Sequence, residues 1–331
     1  MGGGKAVYLE GFPEFKSTEH RWAMQYGGKM PDEQKTAGNE HEERKSAPPM
    51  PEKAEQDVVH AEIPEMIAEG IAAEIKEDST PHNDPFISFK NVSKSFDDFV
   101  VLEDVSFFVN PGETLCILGR SGSGKSVSLQ MLMGFLKADS GDIFVAGENI
   151  VGFTELQMQE VRRKVTMVFQ NGALFDSITV GENVAFPLRE RGDLLEDQIF
   201  QVVNGLLEMV GVAGMENLLP SDLSTGMKRS VAIARALASQ PQAVLYDEPT
   251  TMVDPLMAHL LGSLIERLKQ QLHLTSIVVT HDMQLARKLA DRVVFLHQGK
   301  AHFFGTMEEM EKSQDEVLQQ FLALDKLVLP G

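Results

Sequence analysis

An α/β fold, a sheet covered by helices, is predicted for everything from Pro85 onward, and two observations predict it. Short apolar runs alternate along the chain with stretches of helical periodicity. One of those runs passes through a glycine-rich loop into a helical pattern, a connection suited to holding a phosphate. In chain order, strands are expected over 86–90, 101–109, 113–118, 142–145, 164–169, 243–247, 275–280 and 292–297. Helices are expected over 125–137, 194–210, 224–238, 255–271 and 282–290. No internal repeat is visible, so a single engine is expected and not a tandem pair.

The flanks read differently. Residues 1–84 are expected to form an acidic, largely disordered extension, because the polar tract 31–56 has no apolar periodicity. Within it, Ile63, Met66, Ile67, Ile71 and Ile75 fall near helical spacing over 58–76. Two readings stay open for that segment: a transient helix in a tail, or a helix docked on a partner or on the body of the protein. At the other end, residues 307–331 read as a helical segment that follows the 85–306 body. Val317, Leu318, Phe321, Leu322 and Leu324 are spaced there to pack across a dimer or on an accessory subunit.

Composition narrows the partners. The 331 residues are 43% apolar, enough to close a sizeable core. The net charge is −19, and residues 1–84 contribute −9 of it with 18 acidic and 9 basic side chains. Such a balance argues against coating nucleic acid or anionic lipid, which needs clustered Lys and Arg. No run reaches the roughly 18 apolar residues of a membrane span, and no signal-peptide core follows the start. The Met-Gly start lacks the Ser or Thr of a myristoylation site, since Ala6 stands there. The chain is therefore expected to stay in the cytoplasm. The one cysteine, Cys116, lies in an apolar run, so core packing in a reducing compartment is expected of it.

The glycine-rich loop is Gly119-Arg120-Ser121-Gly122-Ser123-Gly124-Lys125-Ser126, which fits G-x-x-x-x-G-K-[ST] between an apolar strand and a helix. Its glycines let backbone N–H groups curl around phosphate oxygens, and the following helix turns its positive end on the same anion. Lys125 is then placed to reach the terminal phosphates and Ser126 to bind Mg²⁺. A second apolar run ends in Asp247 and Glu248. That pattern predicts one carboxylate for the metal shell and one, Glu248, to act as general base on water. Loops of this kind serve kinases, GTPases, helicases and transporters alike, so this P-loop NTPase pattern alone leaves the function open.

Further motifs narrow the family. Leu223-Ser224-Thr225-Gly226-Met227 resembles the signature Leu-Ser-Gly-Gly-Gln of the ABC ATPases. Phe96, Gln170, Asp254 and His281 then match, in order, the adenine-stacking aromatic, the Q-loop, the D-loop and the switch histidine of that family. The resemblance covers about residues 86–305. It implies a RecA-like core joined by an antiparallel sheet carrying Phe96, and a helical subdomain at about 171–238 carrying the signature. It also implies ATP and Mg²⁺ as ligands, with Val127 completing the phosphate loop and Gln170 joining Ser126 and Asp247 at the metal. Phe96 also has a plain alternative as a core residue. The family closes each signature, here Ser224 to Met227, on the ATP of a second subunit, which implies a dimer of this chain beside a transmembrane permease. Thr225 and Met227 depart from the family's Gly and Gln. Thr225 is expected to restrict the backbone near the partner's γ-phosphate and to slow the site.

The stretches Phe169 to Phe175, Thr179 to Glu190 and Gly226 to Arg229 closely resemble the ATPase of Mla-type (MCE-associated) lipid transporters. That likeness implies phospholipid cargo, an MCE-domain lipid-binding protein and a place on the cytoplasmic face of the inner membrane. Another cargo, a non-transport ABC ATPase and a binding module without catalysis are the alternatives.

Overall fold

The computed structural model describes residues 63–77 and 84–327, so most of the acidic extension expected to be disordered lies outside the described residues. Two sheets form the body. Strands β1 (Ile87–Phe96), β2 (Phe99–Val109), β4 (Ser140–Val145) and β5 (Glu148–Asn149) make an antiparallel sheet in the order β2-β1-β4-β5. The larger sheet runs β10-β9-β3-β8-β7-β6. Its strands are β3 (Thr114–Gly119), β6 (Val165–Val168), β7 (Ala243–Asp247), β8 (Thr275–Val279), β9 (Arg292–His297) and β10 (Lys300–Gly305). All its pairings are parallel except that of β10 with β9.

Every residue of β3, β7 and β8 is buried, as a parallel sheet covered on both faces requires. Alternation sorts their side chains into two cores. Leu115, Ile117, Leu245 and Ile277 join the core that also holds Ile87, Phe89 and Phe107 of the antiparallel sheet. Cys116, Leu118, Tyr246 and Val278 join the helix-side core. Burial pushes the Cys116 thiol up to about 12, so it packs as a small apolar group.

The helices are α1 (Glu65–Glu77), α2 (Lys125–Leu132), α3 (Glu155–Lys164), α4 (Val180–Arg191), α5 (Glu196–Met209), α6 (Thr225–Ala238), α7 (Pro255–Leu272), α8 (Met283–Leu289), α9 (Met307–Lys312) and α10 (Glu316–Leu327). Helix α2 stops short of the expected 137 because Gly134, at φ 71, turns the chain away. Helices α3 and α4 and strand β10 were not expected. Helix α3 is polar, with only Met158 and Val161 buried, and α4 carries Pro187 in its interior, so each hides its period. Both begin with capping boxes, Thr154 with Gln157 and Thr179 with Glu182.

The flanking segments lie on the body. Ile67 and Ile71 of α1 are fully buried in the helix-side core. Gln240 Nε2 donates to Met66 O at 2.9 Å and Gln242 Nε2 to Glu74 O at 3.1 Å. This segment is therefore a docked helix and not a free tail. The C-terminal segment is broken at 313–315 into α9 and α10. It buries Met310, Leu318, Phe321 and Leu322 in its own chain's core, where a second subunit was expected. The Phe321 and Phe295 rings lie 4.7 Å apart.

Candidate functional site

The parallel strands bring the predicted residues to one edge. Asp247 pairs with Val279, and Ile117 with the same residue, so the exits of β3, β7 and β8 emerge side by side. A cleft of about 750 Å³ opens there, the size of a small-molecule site. Gly119 to Gly122, Gly124 to Val127, Gln170, Glu248 and His281 line it. Gly124, at φ 94, caps α2 in a conformation that favours glycine, and a Cβ there would meet Leu102 at 2.4 Å. The loop so formed leaves the first N–H groups of α2 without side-chain caps.

The side chains are already wired together. Lys125 is buried, donates to Gly119 O at 3.0 Å and Arg120 O at 3.2 Å, and lies 3.6 Å from Glu248 Oε1. Ser126 Oγ donates to Asp247 Oδ1 at 2.9 Å. Burial pushes the Asp247 carboxyl above the usual range; the Ser126 donation opposes this, Glu248 reinforces it and Lys125 opposes it again. Glu248 Oε2 accepts from Thr251 Oγ1 at 2.9 Å and lies 2.8 Å from His281 Nδ1. Glu248 takes φ 48, a left-handed conformation that a side chain seldom adopts, and its N–H donates to Val279 O at 2.9 Å. Asp282, next after His281, caps α8 by accepting from Gln284 N and Leu285 N.

An oxygen pair such as Ser126 with Asp247 suits Mg²⁺, which takes one or two protein oxygens and completes its shell with phosphate and water. Within the loop, the buried Ser123 Oγ has no protein partner, a polar atom that a phosphate oxygen would satisfy. The residues present therefore fit a Mg²⁺-bound nucleoside triphosphate.

Other expected residues sit apart. At the base end the cleft is lined by Phe99 and Val101, with Phe96 outside the lining. Phe96 pairs with Phe99 across the hairpin, and the Lys94 ammonium lies 5.4 Å from its ring centroid. Sequence position pointed to Phe96; the aromatic at the second hairpin position was the missed signal. The signature is not part of this cleft. Ser224 caps α6, its Oγ accepting from Met227 N at 3.3 Å. Thr225 is exposed as the first helical residue and lies outside the left-handed region, so its Cβ brings no left-handed strain. Gly226 and Met227 are buried, and the Met227 side chain belongs to the helix-side core. Asp254 caps α7 by accepting from Met257 N at 3.0 Å.

The comparisons with known proteins agree with this geometry. The ABC transporter family model matches residues 102–251. The chain is 40% identical over 240 residues to the intermembrane phospholipid transport system ATP-binding protein MlaF of Haemophilus influenzae, covering 72% of this chain and 91% of that one. This chain belongs to the ABC transporter ATPase family. The cassette also resembles the spermidine/putrescine import ATP-binding protein PotA of Thermotoga maritima, at 41% over 69% of this chain and 60% of that one. Among solved structures, the dimeric post-hydrolysis ATP-binding cassette MJ0796 bound to ADP and Pi aligns with TM-score 0.62 and 30% identity, over 67% of this chain and 98% of that one. The cassette is thus an ATPase with the P-loop ABC fold. Among the described residues no helix is long and apolar enough to cross a membrane.

Proposed function

We propose that this cassette powers phospholipid transport across a cell envelope, working as a homodimer on the cytoplasmic face of the inner membrane beneath a transmembrane permease. An MCE-domain lipid-binding protein and an accessory subunit complete the assembly. The observation that carries the cargo is the match along 91% of MlaF, against 60% of PotA at similar identity. The stretches that resemble lipid-transport ATPases add support. They include the exposed Phe175 and Phe186, whose rings lie 5.2 Å apart on the helical subdomain.

In this reading the Gly119–Ser126 loop and Lys125 hold the β- and γ-phosphates, and Ser126, Gln170 and Asp247 take the metal. Phe99 and Val101 line the base end, with Phe96 beside Phe99 across the hairpin. Glu248 accepts a proton from the attacking water as the bond from the γ-phosphorus to the bridging oxygen breaks, giving ADP and phosphate. Oε2 is engaged by Thr251 and His281, which leaves this role to Oε1, an oxygen that faces the Lys125 ammonium at 3.6 Å. His281 steadies the γ-phosphate. Ser224, Thr225 and the α6 N-terminus close on the partner's ATP, with Asp254 at the dimer seam.

The test is affinity purification of the full chain from its own membranes, with identification of proteins and lipids. A permease with an MCE-domain protein and phospholipid is the expected result. A permease with a soluble-substrate binding protein overturns the cargo, and ribosomes or DNA overturn the transport reading.

A further inference from the structure

Arg229 is the charged residue on the buried face of α6, two residues beyond the signature. Its guanidinium is taken up by backbone carbonyls. Nη1 donates to Glu248 O at 3.1 Å and to Pro249 O at 2.5 Å, and Nη2 donates to Thr251 O. The turn so held begins at the left-handed Glu248, whose own carboxylate is fixed by Thr251 Oγ1 from the same turn.

A positive φ on a residue with a Cβ is unfavourable and persists only where its surroundings over-determine it. Val279 O fixes the N–H side of Glu248, and Arg229 fixes the carbonyl side. We propose that Arg229 is a positioning residue for hydrolysis, clamping the Glu248–Thr251 turn so that the Glu248 carboxylate stays directed into the cleft. A planar fork suits this task, because several carbonyls are met from one rigid group. The clamp also ties the first turns of the signature helix to the carboxylate of the same chain's cleft.

The proposal rests on Glu248 as the base, and the test separates the two. Single-turnover hydrolysis and MgATP affinity are measured on the full chain in whichever assembly hydrolyses ATP, for Arg229→Met, Arg229→Lys, Glu248→Gln and the double variant. Arg229→Met is expected to lower the hydrolysis rate about 100-fold with nucleotide affinity held within about threefold, since the loss falls on the reacting state. Arg229→Lys, which keeps donors at the same place, is expected to recover at least about tenfold of that loss. In the Glu248→Gln background, Arg229→Met is expected to add less than about threefold, because the two act as a unit. Losses that multiply in full, or a parallel fall in affinity and rate, would overturn the positioning role. Full turnover in Glu248→Gln alone would instead sink the reading of Glu248. If Arg229→Met does not fold, the same comparison is made with Arg229→Lys, which must then show a rate loss without an affinity loss.

Discussion

The cleft around Lys125 and the signature end around Ser224 both bind anions in the proposed dimer, yet they use different chemistry. In the cleft the functional groups are side-chain atoms that contact one another: Lys125 with Glu248, Ser126 with Asp247, and Glu248 with His281. At the signature the presented groups are backbone N–H donors at the start of α6, shaped by a cap and a close helix contact. Side-chain identity is therefore expected to matter more in the cleft than at the signature, where Thr225 and Met227 stand in place of the family's Gly and Gln. The sharpest break of this comparison lies in the cleft. Glu248→Gln is expected to lower kcat by roughly 10²- to 10⁴-fold while nucleotide affinity holds, measured by ATP hydrolysis and a binding titration. Unchanged turnover would show that the wired side chains are not the reacting ones.

The next effect is at the signature and is steric. A Cβ on Gly226 would lie 3.0 Å from Met257 Cβ on α7, tighter than most real contacts, and backbone-attached atoms there have little room to yield. Gly226→Ala is expected to cost roughly 1–3 kcal/mol, read from the urea midpoint, by forcing α6 and α7 apart. No change in stability would mean that the helices do not meet as closely as this packing requires. Removing the cap is a smaller perturbation. Ser224→Ala is expected to cost about 1 kcal/mol, because one N–H of the first turn loses its acceptor, and Ser224→Asn to restore most of it.

The same contrast governs what the amino-acid sequence discloses. The cleft is legible because its chemistry lies in residue types at fixed spacing: the glycine loop with Lys125 after an apolar run, and the paired carboxylates after another. Its wiring is not legible. That Thr251 bonds Glu248, or that Arg229 reaches three carbonyls some twenty residues onward, depends on how α6 lies over the β7 exit. In the fold, strands buried on both faces read clearly as apolar runs. Strand β10, an antiparallel edge with partly exposed residues, and α3, with two buried residues, carry too little apolar period to be seen. The spacing of Ile67 and Ile71 disclosed a helix, while the surface that buries them is formed by distant residues.

Thr225→Gly, which restores the family residue, is the smallest expected effect and the finest probe of the contrast. Thr225 is exposed, begins α6 and does not take a positive φ, so its side chain neither strains the backbone nor fills the core. Glycine there gives up a few tenths of a kcal/mol of helix propensity and leaves the N–H groups of the first turn where they are. Turnover is expected to change by less than about threefold, which corresponds to under about 0.7 kcal/mol in the barrier. If the signature works through backbone donors alone, the change stays in that range at every ATP concentration. An increase beyond about tenfold would show that the Thr225 methyl or hydroxyl stands in the way of the partner's nucleotide, and the signature would then belong with the cleft as a site where side-chain identity sets the rate.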